Sequence, residues 1–313
     1  ADHMKNKILV IGSINQDMVV FAPRHPQPGE TILGQDFQMF PGGKGANQAV
    51  AAARLGGNVQ MIGCVGQDAI GKELLQNLEL NKVEISKIKK AAAPTGTALI
   101  TVAGDGQNSI VVVPGANAML TTDDIDKLST EIQSAKIVVL QLEIPLEVVR
   151  HAIDVAYQNK VLTILNPAPA AKIPAETLSK VTYLIPNESE LSLLSGLPTN
   201  SDLEIQKAAN RIFKMGCQQM VLTRGKSGAF YLSPQHKIFA PAFAVPAVDT
   251  TAAGDAFIGS FGVALAGGFA LQTALTRASA AGALAVTKAG AQSSLPTKEE
   301  LDAFLSKHPK SLS

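Results

Sequence analysis

Tryptophan is missing from this chain, and the three aromatic residue types together make up only 4% of it. A groove that reads nucleic acid needs a basic stripe interleaved with rings, whereas here the formal charge is +1 and no long basic run occurs. No nucleic-acid partner is expected. No apolar run approaches the roughly 20 residues that span a bilayer, and the N-terminus lacks the basic and apolar layout of a signal peptide, so neither a membrane partner nor export is expected. Cysteine is scarce: Cys64 and Cys217 lie in or beside apolar segments, as inert buried thiols do in a reducing cytoplasm, although the sequence leaves a bond between them open. The five histidines form no metal-like cluster. Ala1 to His3 precede Met4 and read as an expression remnant outside the fold.

What is present is a long chain of 313 residues, enough for a large core in one α/β domain or two. It turns on one stretch, VDTTAAGDAF from Val248, which opens with small residues and runs into an apolar helical pattern. A helix start with bare N–H groups attracts anions through its unpaired donors and its dipole. Ala252, Ala253 and Gly254 carry nothing that keeps a phosphate off that backbone, and Asp255 places a carboxylate beside it. Together they suggest phosphoryl transfer, with Asp255 accepting a hydroxyl proton while the N–H groups stabilise the transferring charge. In isolation the same residues read as a helix start with an Asp in its first turn.

Lys7 to Ile11 is a β-branched apolar run ended by Gly12, a buried strand. Asn15 and Asp17 follow at strand spacing, so an extended chain presents amide and carboxylate on one face, a pair suited to adjacent sugar hydroxyls or to a polar turn. Between Met18 and Phe40 prolines and glycine interrupt the chain, with Thr31 to Leu33 and Asp36 to Phe40 as strand candidates, and Thr97 to Ala103 and Ser109 to Val113 flank a GDGQN hairpin turn. Neither stretch fits a strand and helix alternation. Both are assigned to a small inserted β subdomain, a cover over the site. PGGKGANQAVAAARLG from Pro41 pairs two glycines, Gly42 and Gly43, with an amphipathic alanine-rich helix on which Asn47 lies one turn beyond Gly43. Gly45 after Lys44 rules out a Walker A loop, whose magnesium-binding hydroxyl is absent.

From there apolar strands alternate with helices. Ile137 to Leu142 ends at Glu143, Val161 to Leu165 at Asn166, Tyr183 to Ile185 leads to Asn187, and Met220 to Leu222 ends at Thr223. The helices between run from Leu146 to Tyr157, Glu188 to Leu194 and Leu203 to Met215. This order predicts a mostly parallel sheet covered on both faces, with ligands bound beyond the carboxyl ends of its strands, where the four polar residues stand. Each could also be a helix cap. TRGKSG, Thr223 to Gly228, offers backbone and hydroxyl donors for nucleotide phosphates or is simply a basic turn. Ala229 to Leu232 and Phe239 to Val245 read as marginal strands, and Leu271 to Val286 as a long helix.

GSINQD from Gly12, PGGKGANQA from Pro41, NPAPA from Asn166, PNESE from Pro186, TRGKSG, VDTTAAGDAF and KAGAQSS from Lys288 resemble the ribokinase-like branch of the PfkB-type carbohydrate kinases. The resemblance covers essentially the whole chain after Met4, residues 4–313. It implies a three-layer α/β/α fold with a mostly parallel central sheet and a small β-sheet lid inserted at about 18–40 and 97–113, two lids clasping in a homodimer. It also implies transfer of the ATP γ-phosphoryl group to the 5-hydroxyl of D-ribose, with Asp255 as base and the backbone of Ala252, Ala253, Gly254 and Asp255 as anion hole. By the same resemblance the sugar is held by Asn15, Asp17, Gly42, Gly43, Lys44, Asn47 and Glu143, and the nucleotide by Asn187, Thr223, Arg224, Gly225, Lys226, Ser227, Gly228 and Gly254. Glu190 organises Mg2+, and a monovalent cation, K+, lies on Asp249, Thr251, Gly290, Ser294 and carbonyls near Ala285 and Lys288. Ser279 stands where relatives often carry His or Asn beside the adenine. Another pentose, deoxyribose or a ketohexose as acceptor, or an idle sugar or nucleotide sensor on the same fold, are the alternatives that remain open.

Overall fold

The computed structural model describes residues 6–308. The expected remnant Ala1 to His3 lies outside the described residues. In chain order the strands are β1 (Lys7–Ile11), β2 (Asn15–Ala22), β3 (Asp36–Gly42), β4 (Asn58–Ile62), β5 (Cys64–Gly66), β6 (Lys89–Ala91) and β7 (Gly96–Ala103). They continue as β8 (Asn108–Val113), β9 (Ile137–Leu140), β10 (Leu162–Leu165), β11 (Tyr183–Leu184), β12 (Met220–Thr223), β13 (Ala229–Leu232) and β14 (Lys237–Ala240).

Eight of them form one sheet in the order β14-β13-β12-β11-β10-β9-β1-β4. The pairings from β4 to β12 are parallel, and β13 alone runs against its neighbours. Successive strand residues point to opposite faces, so β1 divides its apolar side chains between two cores. Ile8 and Val10 belong to the core shared with the helices Lys44–Arg54, Ala253–Ala266 and Leu271–Val286, while Leu9 and Ile11 belong to the one shared with Leu146–Gln158 and Asp202–Lys214. The result is three layers. A strand buried on both faces must be apolar along its whole length, which is why KILVI and IVVL read as continuous runs.

A separate four-stranded sheet, β3-β2-β7-β8, contains the expected hairpin. Thr31 to Leu33 is not a strand: it is unpaired connecting chain between β2 and β3, with Leu33 89% exposed. The strand missed there is the second half of β2, which continues the sugar-side pair Asn15 and Asp17 directly into this sheet. The last marginal strand stops at Ala240 instead of reaching Val245, because β13 offers only four residues to pair. The Lys44–Arg54 helix is not amphipathic. Residues Gly45 to Ala53 are all buried, since the helix is packed between the sheet and the Ala253–Ala266 helix. Cys64 and Cys217 are both free and buried, so no disulfide joins them. No helix among the described residues is long and apolar enough to cross a membrane.

Candidate active site

The Ala253–Ala266 helix starts without a side-chain cap, at Ala252. The Ala253 N–H turns back to the Thr250 carbonyl at 3.3 Å, and no acceptor among the described residues faces the N–H groups of Gly254 and Asp255. A Cβ added at Gly254 would meet nothing within 4 Å. The helix end is therefore an open pair of donors with the dipole behind them, the arrangement that attracts a phosphate. Asp255 is 6% exposed. Its Oδ2 accepts from Asn47 Nδ2 at 3.0 Å and its Oδ1 from Gln48 Nε2 at 3.1 Å. Burial pushes this carboxyl up, opposed by the Lys44 ammonium and by the two amides. Desolvation raises its basicity, and the amides and Lys44 keep the charged form accessible, which suits a general base better than an ordinary Asp does.

The sugar-side residues meet where β1, β2 and the Lys44–Arg54 helix join. Asn15 and Asp17 share one face of β2, opposite Gly42 and Phe40 of β3. The Asn15 Oδ1 accepts from Asn117 Nδ2 at 2.7 Å, and Asn117 also clasps the Ile14 backbone. Gly42 is required sterically, since a Cβ there would stand 2.4 Å from Asp17 Oδ2. Gly43 has φ 88° and takes the turn into the helix. Glu143 Oε1 accepts the Lys44 N–H at 2.8 Å and the Ser13 hydroxyl at 3.2 Å, a carboxylate at a helix start. Burial raises the Asp17 carboxyl to about 7, with the charges of Glu143 and Asp255 adding to it. Glu143 is raised by burial as well.

A cavity of about 190 Å³ opens on the nucleotide side, where Lys44 and Asp255 reach its wall while Asn15, Asp17, Gly42, Gly43, Asn47 and Glu143 do not. Its walls include Lys44, Asn187, Glu190, Thr223, Thr251, Gly254 and Asp255. Of the four strand-end residues, Asn187 is a helix cap: its side chain accepts from the Glu190 N–H and the Glu190 carboxylate accepts from the Asn187 N–H. Glu143, Asn166 and Thr223 cap no helix that follows them in the chain: Glu143 serves the start of the Lys44–Arg54 helix, and Asn166 donates to the Ile185 carbonyl at 3.1 Å. Gly225, Lys226 and Ser227 form an exposed turn outside that wall. The Arg224 guanidinium is held by Asp202 at 2.9 Å and Glu188 at 3.6 Å, and lies over the Phe230 ring. Gly228 is pressed against the Ala240 carbonyl. Ser279, half-buried on the Leu271–Val286 helix, is not in the cavity wall either.

Asp249 is not the unpaired carboxylate that its place before the anion hole suggests. Its Oδ1 accepts from the Thr251 N–H at 2.9 Å and hydroxyl at 2.5 Å, its Oδ2 from the Gly290 N–H at 3.0 Å, and the desolvation it suffers is outweighed by these bonds, so it is held below the usual range. The Val248 and Asp249 N–H groups both donate to the Val286 carbonyl. These bonds bring the Asp249 loop against the 285–294 segment, in which the Ser294 hydroxyl donates to the Ala291 carbonyl at 2.6 Å and Lys288 pairs with Glu300.

Sequence reasoning passed over Gln48, Asn117, Gln141 and Gln292, all buried, the first, second and fourth bonded to site residues and Gln141 to Gln48. A signal existed for Gln48: with Asn47 it makes a polar pair inside an alanine run, which a buried helix tolerates only where partners are provided. The other three depend on contacts across tens to hundreds of residues.

A family model described as pfkB family carbohydrate kinase matches residues 5–298. A ribokinase of Bacillus subtilis is 42% identical over 304 residues, covering 97% of this chain and 100% of its own. A deoxyribokinase of Salmonella typhi is 36% identical, covering 96% and 98%. The structure of Arabidopsis thaliana ribokinase complexed with ribose and ATP superimposes with a TM-score of 0.90 at 34% identity, covering 96% of this chain and 99% of that one.

Proposed function

The chain belongs to the pfkB family of carbohydrate kinases, and from that membership we propose that it transfers the γ-phosphoryl group of ATP to the 5-hydroxyl of D-ribose, giving ribose 5-phosphate and ADP. The observation that carries this reading is the uncapped start of the Ala253–Ala266 helix, where open N–H groups and the Asp255 carboxylate share one cavity with Lys44. Asp255 takes the hydroxyl proton. The backbone of residues 252–255 receives the transferring phosphoryl group, with the Gly254 and Asp255 N–H groups as its free donors and Lys44 as a neighbouring cation. Phosphoryl transfer asks chiefly for positioning and charge stabilisation, and this arrangement supplies both. Asn15, Asp17, Asn47 and Glu143 hold the sugar, and Asn187, Thr223 and Gly254 the nucleotide. Coupled ADP release over a panel of sugars and nucleosides tests the assignment. D-ribose is expected to lead in kcat/KM, and a hexose or nucleoside ahead by tenfold, about 1.4 kcal/mol, overturns it. The deoxyribokinase likeness makes 2-deoxyribose the nearest competitor.

Mg2+ is assigned to the oxygen donors around Glu190 and Asn187, which line the same cavity as Asp255 and suit a hard cation that keeps its waters. When bound it neutralises phosphate charge. K+ is assigned to Asp249, Thr251, Gly290, Ser294 and the carbonyls near Ala285 and Lys288, an oxygen-rich set held together by the Asp249 bonds. Its effect is to stiffen the Thr250 to Gly254 backbone. Replacing K+ by Na+ at constant ionic strength is expected to lower kcat, and Asp249→Ala to abolish the difference. Unchanged kcat in the unmutated protein removes K+ from the account.

A homodimer through the lid completes the reading, together with a cytoplasmic location. Residues paired across a sheet share a face, and Met18, Val20, Phe37, Met39, Leu99, Val111 and Val113 all lie on the face opposite Asp17. Phe37 is 55% and Val111 63% exposed. An apolar patch of this kind on a small sheet marks an interface. Sedimentation at micromolar concentration is expected to give twice the chain mass, and an active monomer rejects the shared lid while leaving the kinase assignment standing.

A further inference from the structure

Both oxygens of the Asp255 carboxylate end a chain of side-chain amides, and neither chain touches the cavity at its far end. On one side Gln141 Nε2 donates to Gln48 Oε1 at 2.7 Å, and Gln48 Nε2 donates to Asp255 Oδ1. On the other, Asn77 Nδ2 donates to Gln292 Oε1 at 2.6 Å, Gln292 Nε2 to Asn47 Oδ1 at 3.1 Å, and Asn47 Nδ2 to Asp255 Oδ2. An ionised carboxylate only accepts, so each inner amide must turn its NH2 toward Asp255 and its oxygen outward. The outer amides must then turn their NH2 groups inward. One polarity therefore runs through the whole network toward Asp255.

Two further observations separate this from incidental packing. Gln141 is fully buried, and its Oε1 has no hydrogen-bond partner. A hydrophobic side chain of the same length would avoid that unpaired acceptor, so the geometry of Gln141 is explained by its single bond to Gln48. Gln292 is pinned as well, since Arg54 donates to its backbone carbonyl at 2.9 Å. It stands in the Gln292–Ser294 turn, outside the eight-stranded sheet.

We propose that Gln141 and Gln292 are positioning residues, which act through Gln48 and Asn47 to fix the orientation of the Asp255 carboxylate and hold it in its proton-accepting form. This rests on Asp255 being the base. Without Gln292 the Asn47 amide is free to flip and set its oxygen against Oδ2, and without Gln141 the Gln48 amide loses the donor on its oxygen and is kept in register only by its second bond, Nε2 to Asn166 Oδ1 at 3.2 Å. Either loss loosens a donor that stabilises the charged form against burial, which otherwise raises this carboxyl. The other charged groups coupled to it, Lys44, Asp17, Glu143 and Glu190, are left in place.

Gln141→Met and Gln292→Met keep side-chain length and remove the donor. For each, kcat is expected to fall roughly tenfold or more while KM for sugar and for ATP moves far less, because positioning of a general base acts on the chemical step. The acid limb of the kcat profile is expected to move up by about half to one pH unit, a displacement that a merely structural role does not produce. If Gln141→Met does not fold, Gln292→Met, which lies outside the sheet, decides alone. Unchanged kcat and an unmoved acid limb in a folded variant overturn the proposal. Asp255→Asn measured beside them separates the two failures: its loss of chemistry with unaffected Met variants rejects only the amide chains, whereas its retention of chemistry rejects the base itself.

Discussion

Asp255→Asn is expected to lower the single-turnover rate of phosphoryl transfer by roughly 10²- to 10⁴-fold, the usual contribution of a positioned general base. The substitution is nearly isosteric, but it replaces an acceptor-only group by an amide with one donor end. Asn47 and Gln48 both present NH2 to this position, so one of the new contacts sets donor against donor, and some loss of stability accompanies the loss of chemistry. Nucleotide affinity should change little, because the Gly254 N–H, Thr223 and Asn187 remain. A rapid-quench measurement with saturating ATP and sugar isolates the step. Near-native chemistry in the variant removes Asp255 from the role of base. The unmutated protein should show an acid limb above the ordinary Asp range, since burial raises this group and the base must be unprotonated to work.

Asp17→Asn is expected to lower kcat/KM for the sugar by about 10²-fold, the cost of replacing a charged acceptor for sugar hydroxyls by a neutral one, with KM for ATP nearly unchanged. The sign of its pH dependence follows from its position. The folded-state value of about 7 lies above the ordinary aspartate value of 3.8, so the folded chain binds this proton more tightly than the unfolded chain does. Stability from this group is complete below the lower value and is lost as pH rises toward 7, by an amount on the order of a few kcal/mol at most. Sugar binding runs the other way, improving as Asp17 ionises. The Asn variant should therefore have a higher Tm than the unmutated protein at pH 8 while binding sugar less well. A variant with lower Tm at pH 8 and unaltered sugar kinetics contradicts both halves of the argument.

How much of this could be read beforehand depended on the range of the interactions involved. The central strands were legible because burial on both faces forces continuous apolar runs such as KILVI, and the helix from Leu271 to Val286 fell where its alanine pattern placed it. The small sheet was legible from its hairpin turn. Thr31 to Leu33 misled because β-branched and apolar residues favour strands only where they are paired and packed, and here they lie unpaired in the connection between β2 and β3. The helix after Gly43 looked amphipathic since alanine and glutamine carry no clear preference for water, and only the packing of the Ala253–Ala266 helix against it decides that every side is covered. Asp255 and its open helix start were visible as a local motif. The state of that carboxylate was not, because it is set first by burial and then by Lys44, Asn47 and Gln48, more than 200 residues away in the chain. Asp249 shows the reverse case. A charge that seems unpaired in the sequence is satisfied within the fold by its own turn and by Gly290.

The most direct test of the central claim is to incubate the protein with ATP, Mg2+, K+ and D-ribose and to locate the phosphate in the product by phosphorus and carbon NMR. Stoichiometric ADP together with a phosphate ester on the 5-oxygen is the predicted result. Phosphate on the 1-oxygen, or no sugar phosphate while 2-deoxyribose or a hexose is phosphorylated under the same conditions, would contradict it.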